Sequence, residues 1–167
     1  PPLARLFDLR PLLGLRSAAN TFARELNPLG ARCQLQGVFH PTYLPTHRET
    51  AYLLEQPRAV IFKGGGGEVQ RNPAKPCRTA TVIDGVSGEE IWPALTPGQT
   101  FAWRDEPLDP AGIVALWRGE RAAPIPEAAV VGTAAIALKL LGRAKDMAAA
   151  EEMARAMWAA RDKRRVR

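Results

Sequence analysis

Two short strand-like runs, RCQLQGVFH (residues 32–40) and RAVIFKG (58–64), bracket a helix-like stretch, YLPTHRETAYLLEQP (43–57). No other feature limits the fold as strongly. A strand, a helix and a second strand in so short a span form a βαβ unit, which requires parallel pairing and a sheet whose faces are covered. In the first strand Cys33, Leu35 and Phe39 point one way, with Gly37 interrupting. The second strand holds the continuous run AVIF, the pattern of a strand buried on both faces. Between them Thr46 and Glu49 have capping-box spacing, and Pro57 ends the helix. The expected class is α/β, a central sheet with flanking helices.

The remaining elements are expected as follows. LRSAANTFARELNP reads as a short helix stopped at Asn27-Pro28. CRTATVIDG is a strand closed by an Asp-Gly turn, and GQTFAWRDEP alternates like a strand. The acidic SGEEIW and WRDEP segments read as turns. DPAGIVALWRGE is a helix capped by Asp109 with Pro110 at its first position. PIPEAAVVGTAAIALKLLG is a core helix, apolar almost all round, with Gly142 just past its end. The last helix begins at DMAAAEEMARAMWAARDKRRVR; Met147, Ala150, Ala154, Met157 and Trp158 form one face, and Glu151 pairs with Arg155 on the other.

Composition sets the outer bounds. A chain of 167 residues, 46% hydrophobic and 24% charged, suits one globular domain with a real core. Its longest apolar stretch is interrupted by Lys139 and is too short to span a bilayer. The opening PPLARLFDLR resembles neither a signal nor a transit peptide and reads as the middle of a longer protein. Cys33 and Cys77 lie in apolar context with no CxxC or histidine partner, so free buried thiols in a reducing, cytoplasmic setting are expected. His40 and His47 have no carboxylate or cysteine at ligand spacing, so surface or capping roles are expected and no metal site. The net charge of +6 is distributed as +6 over residues 1–78, −5 over 79–154 and +5 over 155–167. Basic ends can mark an anionic partner. Basic residues at a helix C-terminus also complement the helix dipole, so both readings of the tail stay open.

The second strand of the βαβ unit ends at Gly64, Gly65, Gly66 and Gly67. In open α/β sheets, ligands bind beyond the carboxyl ends of the strands. The run is not a Walker loop, because Gly67 is followed by Glu68 and Val69, and it lacks the third glycine of a dinucleotide fingerprint. Four glycines permit either an anion-binding nest or a sharp turn.

The run LGLRSAANTFARELNPLGARCQLQGVFH (13–40) resembles the anthranilate phosphoribosyltransferase family. That family carries a G-x-R-T-x-x-N segment leading to N-P, and then a strand with a Gly-Val pair. This chain supplies Gly14, Arg16, Ser17, Asn20, Asn27, Pro28, Gln36, Gly37 and Val38. FHPTYLPTHRETAYLL, KGGGGEVQRNP and WRGE look most like the YbiB-type branch. The resemblance covers essentially the whole chain. It implies the large α/β domain of the nucleoside phosphorylase and phosphoribosyltransferase type, of which residues 1–167 form the C-terminal part. The helical domain that makes the family's dimer and the donor-binding glycine loop have no counterpart here. A homodimeric parent and a monomeric isolated chain are implied.

The resemblance also assigns roles. The family holds magnesium with an Asp-Glu pair in this loop; Val69 and Gln70 fall on those positions, so no metal or cofactor is expected. Arg16 falls on the arginine that contacts anthranilate, and with Gly64–Gly67 it is the candidate substrate or anion site. No catalytic residue is assigned. The YbiB-type branch implies sequence-independent nucleic-acid binding, for which Lys63, Arg71, Lys75 and Arg78 around the glycines are the candidate contacts. Arg24, Arg32, Arg161, Lys163, Arg164 and Arg165 would widen that surface. The alternative is a pentosyl transferase that uses phosphoribosyl pyrophosphate and magnesium and works only with the missing half.

Overall fold

The computed structural model describes residues 2–14, 19–66, 68–99 and 109–166. Three short helices open it: α1 (Pro2–Phe7), α2 (Leu9–Leu13) and α3 (Ala19–Phe22), the last running into a 3-10 turn at Ala23–Glu25. There follow β1 (Cys33–Val38), a 3-10 turn (Pro41–Tyr43), α4 (Leu44–Leu53) and β2 (Arg58–Lys63). β3 (Cys77–Ile83) and β4 (Val86–Trp92) form a hairpin, and α5 (Pro110–Arg118), α6 (Pro124–Leu140) and α7 (Met147–Ala159) complete the fold.

The sheet order is β1-β2-β3-β4. β1 and β2 are parallel, with Cys33 opposite Arg58 and Val38 opposite Lys63; β3 and β4 add antiparallel. The βαβ expectation is met, and so is burial of β2 on both faces. Ala59 and Ile61 point beneath α4, in a core with Val38, Leu44, Ala51, Ala80 and Val82. Val60 and Phe62 point the other way, against Trp92 and the α6–α7 pair. The pleat sends alternate residues of one apolar run into two cores.

Several local expectations are corrected. α4 starts at Leu44, so Thr46 lies inside its first turn and is not its cap. Pro45 fits that turn, where an N–H is not needed, and the start moves upstream. SGEEIW is most of β4, not a turn, because Asp84-Gly85 closes a tight hairpin with Asp84 at φ 49° and Gly85 at φ 82°. The expected 15–28 helix is only α3 and a 3-10 turn among the described residues. On α7, Ala150 and Ala154 are buried, but Met157 is 57% exposed and off the packed face. GQTFAWRDEP and WRDEP fall largely outside the described residues.

β1 is an edge strand, and unpaired edges invite aggregation. The turn at 23–25 covers it: Arg24 donates to the Gly37 carbonyl and the Gln34 amide donates to the Arg24 carbonyl, 2.7 Å. Glu25, Gln36 and His47 form a buried cluster, with the His47 ring bonded to Glu25 and lying 3.1 Å from Gln36 Oε1. His47 is thus buried, not a surface or capping residue, because it joins α4 to β1 and to the turn. Asn27 closes the next turn, pairing with both backbone groups of Ala31 and with Gln56.

The chain after the glycines is fixed by one buried cation. Arg71 is 0% exposed. Its guanidinium donates to Glu151 of α7 at 3.1 Å and to the Pro93 carbonyl, and lies 5.1 Å from the Trp92 ring. Its own N–H donates to Thr133 of α6, 3.0 Å. Gly132 makes the room: a methyl there would sit 3.0 Å from Arg71 Cδ and 2.9 Å from Leu95 Cδ1.

Three outcomes are expected from this packing. Glu151→Ala leaves Arg71 buried without its partner and should cost about 3 kcal/mol in urea melts, whereas Arg71→Met with Glu151→Leu should cost less. Gly132→Ala should lower stability although alanine favours helix, because overpacking costs on the order of 1–3 kcal/mol against about 1 kcal/mol of propensity. Burial pushes the Cys77 thiol up to about 11, against the opposing pull of Arg71. At pH 8 its thiolate is scarce, so iodoacetamide should label half-buried Cys33 first and Cys77 only as the chain unfolds.

Candidate functional site

β1 and β2 end side by side, and the glycine loop leaves from that end. The Gly64 N–H donates to the Val38 carbonyl at 3.1 Å, extending the parallel ladder by one bond. Lys63 spans the two strand ends: its ammonium donates to the carbonyls of Phe39, 2.8 Å, and Gly64, 3.2 Å, and lies over the Phe39 ring. Gly64 is buried, and a methyl on it would meet the Glu68 carbonyl at 1.9 Å. The close approach, not a positive φ, demands glycine here. Glu68 turns its carboxylate back to accept from the Gly66 N–H, 2.5 Å, while Val69 is 41% exposed. Gly67 and Arg16 lie outside the described residues.

The candidate cations fall into three groups. Arg71 is a core residue and is withdrawn as a surface contact, since its charge is already matched by Glu151. Arg161 is withdrawn on the same ground: it stacks 3.8 Å from the Trp158 ring and donates to the carbonyls of Leu116, Trp117 and Trp158. Those are the last carbonyls of α5 and α7, so Arg161 serves two helix C-termini at once. Arg24 is tied to the β1 edge, and Arg32, 76% exposed beside Asp84, stands at the start of the sheet, the end away from the glycines.

Arg78 is 61% exposed but shares its charge with Glu89, which also receives Arg48 at 3.2 Å. Arg78 holds the Glu89 carboxyl below its usual range. Lys63, Lys75, Lys163, Arg164 and Arg165 are exposed. Lys75 sits on the turn whose Pro73 carbonyl accepts from Leu95 and Thr96.

Topology sends the loop and the tail toward the same end of the sheet but on opposite faces, Lys63 and Arg78 on the α4 face and α7 on the other. α6 finishes at the start of the strands, where the Leu140 carbonyl accepts from Arg58 at 3.1 Å. α7 runs back toward the glycine end, so the tail after Ala159 emerges there. The tail is strapped down: Trp117 Nε1 donates to the Asp162 carbonyl at 2.8 Å, and Arg118 Nε to the Val166 carbonyl at 3.3 Å. Sequence reasoning missed Arg71's burial and Arg161's double cap. The tryptophans at 117 and 158, edge to face at 5.8 Å, were the available signal for the latter.

Among the described residues no group of three or more His, Cys, Asp or Glu side chains converges, and no helix is long and apolar enough to cross a membrane.

No model of a protein family matches the chain. It is 30% identical over 152 residues to the anthranilate phosphoribosyltransferase of Novosphingobium aromaticivorans, covering 87% of this chain and 46% of that protein. It is 30% identical over 118 residues to the uncharacterized protein YbiB of Escherichia coli, covering 62% of this chain and 36% of that one. Among solved structures, anthranilate phosphoribosyltransferase from Thermus thermophilus shares the fold with a TM-score of 0.67 and 23% identity, over 92% of this chain and 46% of that one. The chain thus spans about half the length, or less, of the relatives it matches. With the fold of one anthranilate phosphoribosyltransferase and sequence similarity to others over most of its own length, the chain is anthranilate phosphoribosyltransferase-like.

Proposed function

We propose that this chain is the C-terminal part of a protein that binds nucleic acid without reading sequence, on a phosphoribosyltransferase-type scaffold. The observation that carries the reading is the end of the sheet beyond β1 and β2. It presents exposed Lys63, Lys75 and Arg78, and α7 carries Lys163, Arg164 and Arg165 toward the same end on the opposite face of the sheet. Neutralising phosphates needs cations on an open surface and no base-reading motif. The resemblance to the YbiB-type branch supports the same reading.

Magnesium does not fit this loop. Glu68 is engaged with the Gly66 N–H, Val69 has no donor, and Gln70 brings no charge, whereas a hard divalent ion takes carboxylate oxygens. The relatives named anthranilate phosphoribosyltransferase favour a second reading, a transferase using phosphoribosyl pyrophosphate and magnesium with the rest of the protein. In that reading Arg16 holds the acceptor.

Fluorescence anisotropy with labelled oligo-dT and with duplexes of different sequence tests the proposal. Affinity should fall steeply with salt and hardly vary with sequence. Replacing Lys63, Lys75 and Arg78 by alanine should lower it for every probe and reduce the salt slope by about one unit per lost contact. Replacing Lys163, Arg164 and Arg165 should do the same. Affinity indifferent to salt and to both sets would return the chain to the transferase reading. In calorimetry, Val69→Asp with Gln70→Glu should gain magnesium affinity over the unmodified chain. Sedimentation should show a monomer, because the domain that dimerises the family is expected to lie outside this chain.

A further inference from the structure

Three consecutive glycines each make way for a different part of Glu68. The backbone of Gly64 lies under the Glu68 carbonyl, where a methyl would come within 1.9 Å. A methyl on Gly65 would be 3.0 Å from Glu68 Oε1, and one on Gly66 would be 2.8 Å from Oε2. The carboxylate therefore lies across Gly65 and Gly66, with Oε2 accepting from the Gly66 N–H at 2.5 Å. The Glu68 carbonyl in turn accepts from Gln70, 3.0 Å, which closes the loop behind it. Glycine-rich loops hold phosphates through backbone N–H groups, and here one of them, on Gly66, meets an oxyanion across bare backbone. Here the oxyanion comes from the chain itself.

We infer that the Gly64–Gly66 loop is a binding position for one phosphate group, and that the Glu68 carboxylate occupies it in the ligand-free chain. The inference rests on the polyanion reading for its ligand class and adds which backbone atom meets the phosphate. Glu68 is two residues from its partner, so its effective concentration at the Gly66 N–H is on the order of millimolar or above. A free phosphate competes poorly with such a tethered anion. A phosphate delivered on a polymer already held by Lys63 and Lys75 meets the same advantage on its own side. The loop then opens to a polyanion and stays closed to small anions.

The test is a titration of the uniformly 15N-labelled chain with inorganic phosphate and with oligo-dT, following the Gly66 amide, for the unmodified chain and for Glu68→Ala, Glu68→Gln and Glu152→Ala. Glu152 is exposed on α7 and serves as the control for removing one negative charge. In Glu68→Ala the Gly66 amide should shift with phosphate at concentrations that leave the unmodified chain unchanged. Oligo-dT affinity should rise about fivefold, with Glu68→Gln between and Glu152→Ala near the unmodified value. If Gly66 ignores phosphate in every variant, or if Glu68→Ala and Glu152→Ala raise affinity equally, the inference fails. If Gly66 responds to phosphate in Glu68→Ala while no variant binds oligo-dT, the phosphate position stands and the nucleic-acid reading falls.

Discussion

The buried ion pair between Arg71 and Glu151 sets the geometry of everything beyond the sheet. A guanidinium with no exposure is tolerated only where its charge is matched, and here the two terminal nitrogens meet a carboxylate and a carbonyl beside an indole ring, while Nε has no partner among the described residues. The pair joins the chain just after the glycines to α7, while the Arg71 amide joins it to α6. The glycine loop is therefore a short span held at both ends, by the Gly64–Val38 bond before it and by Arg71 after it. A loop so held can close on its own Glu68 side chain without disturbing the sheet.

The same reasoning sorts the basic residues. Charge counted along the sequence treats Arg71, Arg161 and Lys75 alike, but their surroundings differ. Arg71 and Arg161 use their planar forks to satisfy acceptors in the interior and at two helix ends, a task a lysine cannot match. Lys63 is intermediate, an exposed residue whose ammonium stitches two strand ends. The proposed polyanion surface rests on the remaining exposed cations. Of the tail's two readings, the helix-end role is seen at Arg161, and the residues after it are held by the same anchored segment.

What the sequence made legible followed from periodicity. The run AVIF, placed between a helix pattern and four glycines, was enough to place β2 at the centre of two cores, and Asp109-Pro110 was enough to start α5. β4 was hidden because Glu89 and Glu90 look like loop residues; their carboxylates are held by Arg78, Arg48 and Lys139, partners that no local pattern reveals. His47 was hidden in the same way, since its partners Glu25 and Gln36 each lie many residues upstream. The N-P motif and Gln36 could be recognised as a pattern, but their work is structural: Asn27 locks a turn and Gln36 braces the edge strand. The glycine run was ambiguous because nest and turn share a composition, and the place of the Glu68 side chain over Gly65 and Gly66 is not written in it.

The central claim is that one end of the molecule, beyond the carboxyl ends of β1 and β2, is the polyanion surface. Amide shift mapping of the labelled chain with oligo-dT tests this most directly. The perturbed amides should cluster at 63–66, 74–78 and 162–166, and those of Arg32, Arg58, Asp84 and Gly142 at the opposite end should stay unchanged. Perturbations centred on that opposite end, where Arg32 and Arg58 lie beside Asp84, would contradict it.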